Sequence, residues 1–231
     1  KQNPFIVFWE TTRSCSLACR HCRAVAQPKR HPLELSTSEG ETLIDQIASM
    51  GNPLLVITGG DPMMRPDLVH FIGYASRKGL RVSLAPSATR LVTSQALEKA
   101  HDAGLVRVSI SLDGPNAEVH DAFRRTPGAF DLTMRAFEAV AQAGLTLQVN
   151  TTVSRYNRNC LDDIVAKMAE FHAVLWSVFF LVPTGRGKDE DMISPQEHED
   201  VFNRLYDTSK RVPFDVKTTA AEHYRRVVIQ R

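Results

Sequence analysis

Residues 130–153 read FDLTMRAFEAVAQAGLTLQVNTTV and contain one complete helix–glycine–strand unit. The first half has apolar side chains at the spacing of one helix face: Phe130, Met134, Phe137 and Ala141. Gly144 follows and predicts a left-handed residue that ends the helix. The apolar run Leu145–Val153 then predicts a strand.

The same unit recurs about six times along the chain, at roughly 30 residues per unit. Helix-ending glycines are also predicted at Gly51, Gly79 and Gly104. The other predicted strands are Phe5–Glu10, Leu54–Thr58, Leu80–Ala85, Val106–Leu112 and Val174–Val182, with a weaker candidate at Phe214–Thr218. This order predicts an α/β fold with parallel strands and right-handed crossovers, a partial TIM-like (β/α)6 barrel. A doubly wound open sheet has the same periodicity.

Composition narrows the class of protein. The chain has 231 residues, 43% of them hydrophobic, with 28 basic and 26 acidic side chains. This balance gives no reason to expect nucleic acid as a partner. The longest nearly apolar run, residues 173–182, is about half of a membrane span, so no membrane partner is expected either. We predict a single domain over residues 1–231.

Three of the four cysteines form the motif Cys15-Ser-Leu-Ala-Cys19-Arg-His-Cys22, directly after the first strand. Such a cluster in a chain of low cysteine content indicates a metal site in a reduced compartment, so we expect a cytoplasmic protein. Three thiolates are one fewer than a closed zinc site or a fully ligated iron–sulfur cluster needs. Two alternatives are a redox pair and a non-enzymatic zinc domain in which His21, His31 or a distant residue completes the site.

Polar residues follow other strands as well. Gly59 and Gly60 end the second strand and permit close approach of a ligand, although a tight turn would also need them. Asp61 and Pro62 come next. Ser111 and Asp113 point to the same side of the fourth strand, although an Asp-Gly-Pro turn explains the aspartate equally well. Because the ligand end of a parallel α/β fold is the carboxyl end of its strands, we expect these residues to share one mouth.

The motif CxxxCxxC after a first strand resembles the radical S-adenosylmethionine (radical SAM) superfamily. The resemblance implies that Cys15, Cys19 and Cys22 bind a [4Fe-4S] cluster and that SAM occupies the fourth iron. His21 stands where this family often has an aromatic residue. Gly59, Gly60, Asp61 and Pro62 resemble the family's GGE motif, which holds the SAM amino group.

The resemblance extends SAM binding to three more strands. It implies that Ser111 and Asp113 bind ribose hydroxyls, that Asn150 makes a polar contact with SAM, and that Leu181 and Val182 offer backbone contacts to adenine. It also implies an external electron donor, a flavodoxin or a ferredoxin. No catalytic residue is expected beyond the cluster and SAM.

The function implied is reductive cleavage of SAM to a 5′-deoxyadenosyl radical that abstracts hydrogen from a substrate. Residues 8–12, FWETT, and residues 150–153, NTTV, most resemble the core domain of SPASM-type members, which modify ribosomal peptides or tetrapyrroles such as haem precursors. We predict a peptide substrate, with a haem precursor as the alternative. No cysteine follows Cys160, so we expect a fragment that lacks the auxiliary-cluster domain.

Overall fold

The computed structural model describes residues 3–231, which contain seven strands and eight α-helices. The strands are β1 (Ile6–Glu10), β2 (Leu54–Thr58), β3 (Arg81–Leu84), β4 (Leu105–Ser111), β5 (Thr146–Val153), β6 (Leu175–Phe180) and β7 (Asp215–Thr219). The helices are α1 (Thr37–Ser49), α2 (Leu68–Arg77), α3 (Ser94–Asp102), α4 (Ala117–Arg124), α5 (Ala129–Gln142), α6 (Leu161–Glu170), α7 (Pro195–Ser209) and α8 (Tyr224–Gln230). Each predicted strand is present, with its ends within one or two residues of the prediction.

The chain forms two compact units. The first runs through Leu17 and includes residues 24–110 and 132–146. In it, β1, β2, β3 and β4 pair in chain order and in parallel. Its core lies between this sheet and the apolar faces of α1 and α2. The fully buried side chains there include Ile44, Leu55, Ile57, Phe71 and Ile72.

The second unit takes residues 18–23, 111–131 and 147–231. In it, β5, β6 and β7 also pair in parallel and in chain order. Trp176 on β6 is fully buried, and its indole Nε1 donates to Thr151 Oγ1 on β5 at 2.9 Å. Thr151 Oγ1 in turn donates to the carbonyl of Leu112 at 2.7 Å. This buried chain of hydrogen bonds fixes the start of the loop after β4 to the centre of β5.

Local sequence signals explain most of these boundaries. The helix-ending glycines Gly51, Gly79, Gly104 and Gly144 all have positive φ, as predicted. Capping boxes open α1 at Ser36 and α7 at Ser194. Among residues 3–231, no helix combines the length and apolar character that a membrane span needs.

Two helices, α4 and α8, were not predicted. In α4 the reason is chemical, because two of the side chains that it buries are His120 and Arg124. A helix whose inward face carries an imidazole and a guanidinium has no continuous apolar stripe to detect. That buried polar face is part of the candidate site.

Candidate functional site

In the first unit, Cys15 lies on a loop that folds back on itself. Its backbone N–H donates to the carbonyl of Gln27 at 2.8 Å, and the Gln27 N–H donates to the carbonyl of Arg13 at 2.8 Å. The Cys15 sulfur is buried, and the Leu17 N–H donates to it at 3.4 Å. A thiol held against an N–H donor is prepared to carry negative charge.

Gly59 and Gly60 make room for this same loop. Gly60 N–H donates to the Thr12 carbonyl at 2.7 Å, and Asp61 N–H donates to the Ser14 carbonyl at 2.6 Å. A Cβ on Gly59 would collide with the carbonyl of Thr12, and one on Gly60 with the carbonyl of Ser14. The two glycines therefore let the backbone before Cys15 lie directly on the end of β2. The predicted close approach to the two glycines is present, but the group that approaches them is the backbone of residues 12–14.

The Asp61 carboxylate accepts hydrogen bonds from its own unit. It accepts from the backbone N–H of Met63 at 3.1 Å and from Thr89 Oγ1 at 2.9 Å. Asp61 also caps a short 3-10 turn, Pro62–Met64, whose first residue Pro62 is buried. Burial raises the pKa of Asp61, and hydrogen bonds from Thr89, Met63 and the backbone of Ser87 oppose that rise. The carboxylate thus joins the turn after β2 to the loop after β3. Its predicted contact with the SAM amino group stays a prediction.

Sequence reasoning missed the loop after β3. Ser87 Oγ donates to the Gly60 carbonyl at 2.9 Å and lies 3.3 Å from the Cys15 sulfur. Thr89, two residues later, is the partner of Asp61. The available signal was position, because Ser87 and Thr89 follow a strand just as the other candidate residues do.

In the second unit, Cys19 and Cys22 lie on one turn. Cys22 N–H donates to the Cys19 carbonyl at 3.4 Å, and the Cys22 carbonyl accepts from Arg186 N–H at 3.1 Å. Arg20 N–H donates to the Phe123 carbonyl at 3.0 Å, which ties the turn to α4. The residues after β6 and the end of α4 therefore position this pair of cysteines.

His21 packs against α4. Its imidazole stacks on the Phe123 ring, with 4.5 Å between ring centroids and 11° between planes. Burial lowers the pKa of His21 to about 4, and the carboxylate of Asp113 only partly opposes this. His21 is therefore neutral near pH 7 and acts as a flat, largely apolar ring, which is the character that the family resemblance implies at this position.

Asp113 and Arg124 form a buried ion pair. Arg124 Nη2 lies 2.5 Å from Asp113 Oδ2, and the Thr152 N–H donates to Asp113 Oδ1 at 2.7 Å. Arg124 Nη1 also donates to the Cys19 sulfur at 3.5 Å. Burial disfavours the charged carboxylate, but Arg124 and the hydrogen bond outweigh it and lower the pKa of Asp113. The prediction that Asp113 binds ribose stays a prediction, while the structure gives its carboxylate these partners.

The remaining predicted residues lie on or after strands of the second unit. Ser111 and Asn150 are half-buried, and the Asn150 carbonyl accepts from Leu112 N–H at 2.9 Å. Leu181 is buried and donates its N–H to the Val153 carbonyl at 3.1 Å, whereas Val182 is about half exposed at 49%. Ser111, Asn150 and Val182 thus keep surface through which a ligand could be contacted.

Residues 9–168 match the sequence profile of the Radical SAM superfamily. The chain belongs to the radical SAM superfamily. It is 47% identical over 228 residues to the AdoMet-dependent heme synthase of Oleidesulfovibrio alaskensis, covering 98% of the chain and 58% of the relative. It is 36% identical over 207 residues to the mycofactocin maturase MftC of Mycolicibacterium smegmatis, covering 88% of the chain and 51% of that relative. The chain thus spans about half to three-fifths of the length of these radical SAM relatives.

Solved structures confirm the predicted fold class. Streptococcus suis SuiB bound to its precursor peptide SuiA superimposes with a TM-score of 0.80 at 13% identity, over 98% of the chain and 52% of SuiB. The structure of SuiB bound to S-adenosylmethionine gives 0.79 at 14% identity, over 95% of the chain and 51% of SuiB. The chain has the partial TIM-like α/β fold with parallel strands. Radical SAM enzymes use a [4Fe-4S] cluster and SAM.

The three cysteines suit such a cluster. All are thiols, with Cys15 and Cys19 buried and Cys22 half-buried. Soft thiolates are the donors that iron–sulfur clusters take, and N–H groups aimed at the sulfurs are their usual neighbours. The described part of the chain holds no group of three His, Cys, Asp or Glu side chains placed for a single metal ion.

Proposed function

We propose that the chain is the core of a radical SAM enzyme in which Cys15, Cys19 and Cys22 hold a [4Fe-4S] cluster. The observation that carries this proposal is that the three cysteines form no disulfide and that two of their sulfurs have an N–H donor beside them. These two sulfurs are those of Cys15 and Cys19. Three protein ligands would leave one iron of the cluster for SAM.

Cys15, Cys19 and Cys22 would hold the cluster, and the reduced cluster and SAM together would supply the radical chemistry that removes a hydrogen atom from the substrate. The chain's own residues bind, orient and exclude water around these groups. Gly60 holds the backbone at Thr12, three residues before Cys15. Ser87 lies against the sulfur of Cys15, and Arg124 donates to the sulfur of Cys19. No side chain is assigned a proton transfer.

The proposed SAM contacts keep the set predicted from sequence. They are His21, Gly59, Gly60, Asp61, Pro62, Ser111, Asp113, Asn150, Leu181 and Val182. Ser111, Asn150 and Val182 keep some exposed surface, which supports these three contacts, although Asn150 Oδ1 also accepts from Gln148 Nε2 at 2.8 Å. The carboxylates of Asp61 and Asp113 already accept hydrogen bonds from Thr89 and Thr152, so for them a contact with SAM would compete with those bonds.

As substrate we propose a haem-precursor tetrapyrrole ahead of a peptide, which reverses the order predicted from sequence. The AdoMet-dependent heme synthases are 41–47% identical over 98% of the chain, and a Fe-coproporphyrin III synthase is 34% identical over 89%. Peptide modification stays as the second candidate. The mycofactocin maturases are 35–37% identical, and the structure of SuiB holds a precursor peptide.

Radical SAM enzymes require an electron donor, and we propose a flavodoxin or a ferredoxin. We also propose a cytoplasmic location, because thiols that must ligate iron need a reducing compartment.

The test is anaerobic reconstitution with iron and sulfide, reduction by dithionite, and electron paramagnetic resonance (EPR) with and without SAM. We expect a [4Fe-4S]⁺ signal that SAM perturbs, and 5′-deoxyadenosine whose yield rises when iron-coproporphyrin III is added. A colourless protein with one zinc ion per chain would overturn the radical SAM proposal. If SAM perturbs the cluster signal but the yield of 5′-deoxyadenosine does not change when the tetrapyrrole is added, only the substrate proposal is overturned.

A further inference from the structure

Helix α4 buries a guanidinium against a cysteine sulfur. Arg124 is its last residue, and the side chain is only 10% exposed. One arm of the guanidinium faces the Asp113 carboxylate and the other donates to the Cys19 sulfur. Burial alone would lower the pKa of Arg124, but Asp113 and Cys19 outweigh burial, so the net effect raises the pKa. The guanidinium therefore stays positively charged.

The carboxylate that faces this guanidinium is itself held in place. Asp113 is fully buried and is itself held by the backbone N–H of Thr152. Asn157 Nδ2 donates to the Asp113 carbonyl at 3.0 Å, which fixes the backbone at the same residue. Because the guanidinium is planar, a carboxylate that fixes one arm also aims the other arm. Asp113 therefore aims Arg124 Nη1 at the sulfur of Cys19.

The neighbouring arginine shows that this burial is specific. Arg125 has φ of 50°, a left-handed conformation that ends α4, and its side chain is exposed. Two consecutive arginines thus have opposite environments, one in contact with the cysteine and one in solvent. Arg125 is a natural control for charge alone.

We propose that Arg124, aimed by Asp113, is a positioning residue that raises the reduction potential of the cluster through the Cys19 sulfur. The inference rests on the proposed function, since it requires the cluster. Reduction adds one electron, and so one negative charge, to the cluster. A fixed cation and an N–H donor at a ligand sulfur stabilise the reduced form more than the oxidised form. The paired carboxylate of Asp113 moderates the effect of the cation.

The experiment measures the cluster's midpoint potential by EPR-monitored redox titration, without SAM, in reconstituted protein of known iron content. Arg124→Gln removes the charge, and we expect the ratio of reduced to oxidised cluster at a fixed potential to fall about tenfold. Asp113→Asn removes the opposing negative charge while Arg124 stays buried beside Cys19, so the gain in positive charge should outweigh the looser aim and shift the ratio the other way. Arg124→Lys keeps the charge without the fork and should fall between Arg124→Gln and the unchanged protein. Arg125→Gln makes the same change of charge in solvent and should leave the ratio unchanged.

Opposite shifts in Arg124→Gln and Asp113→Asn support the proposal, because a general loosening of the site would move both variants the same way. An unchanged potential in Arg124→Gln at full iron content overturns it, as does a SAM affinity that falls with no change in potential. If Arg124→Gln does not fold, Asp113→Asn decides, and an unshifted potential there overturns the proposal. Failure of the unsubstituted protein to take up a cluster would instead overturn the proposed function.

Discussion

The backbone N–H of Gly60 donates to the carbonyl of Thr12 at 2.7 Å, so the glycine pair after β2 supports the loop that carries Cys15. The next N–H, that of Asp61, donates to the Ser14 carbonyl. These bonds continue the pairing of β1 with β2 beyond the ends of both strands. A motif expected to leave room for a ligand therefore first makes room for the chain itself.

Gly60→Ala should destabilise the protein by about 1–3 kcal/mol, because its methyl group would meet the backbone of Arg13 and Ser14, which cannot move aside cheaply. Urea unfolding of the cluster-free protein measures this. The matched control is Gly73→Ala in α2, where the nearest atom to a new Cβ is the flexible end of Arg77 at 3.2 Å. Equal effects in the two variants would contradict the clash.

Asp61→Asn separates support of the loop from SAM binding. The amide keeps an oxygen for the Met63 N–H and a polar group for Thr89. It also removes a negative charge that burial disfavours, as the raised pKa of the Asp61 carboxyl shows. We expect unchanged or higher stability of the cluster-free protein at pH 7. If Asp61 also holds the SAM amino group, the affinity for SAM falls about tenfold or more through the loss of a charge-assisted bond. Calorimetric titration of the reconstituted protein with SAM measures the affinity, and an unaltered affinity would limit Asp61 to its structural role.

The buried chain from Trp176 to Leu112 gives a test of the second unit. Thr151→Val keeps the shape of the side chain but leaves the Trp176 indole N–H without its acceptor, and should cost about 1–3 kcal/mol. Thr146→Val is the control on the same strand, because the Thr146 hydroxyl donates to the carbonyl of Val106 at an exposed position where water can replace it. Its cost should stay within about 0.5 kcal/mol. Urea unfolding compares the two, and similar costs would refute the assigned role of the buried network.

Sequence reasoning reached the strands, the helix-ending glycines and the cysteine motif because each is a local pattern. Gly144 and the apolar run after it define a boundary without reference to any other part of the chain. Arg124 is different, because nothing local distinguishes it from Arg125. Which arginine turns inward depends on where α4 ends and on the carboxylate of Asp113, eleven positions earlier. Ser87 was missed for a similar reason, because only its contact with the Cys15 sulfur, 72 residues earlier in the chain, distinguishes it from other serines.

His120 should make stability depend on pH. It is buried, its Nδ1 accepts from the Asp113 N–H at 3.1 Å, and burial lowers its pKa from 6.5 to about 4. The unfolded chain binds this proton below about pH 6.5 whereas the folded chain does so only near pH 4, so stability is lost as the pH falls through that window. The difference corresponds to at most about 3 kcal/mol.

The measurement is urea unfolding of the cluster-free protein at several values between pH 7 and pH 4.5, compared with His120→Gln. Carboxylates also titrate in this range, and His21 adds a shift of the same sign. The difference between the two pH profiles, rather than either profile alone, therefore isolates His120. We expect the variant to lose less stability on acidification than the unsubstituted protein. A His120→Gln profile parallel to that of the unsubstituted protein would show that His120 is not buried in its neutral form.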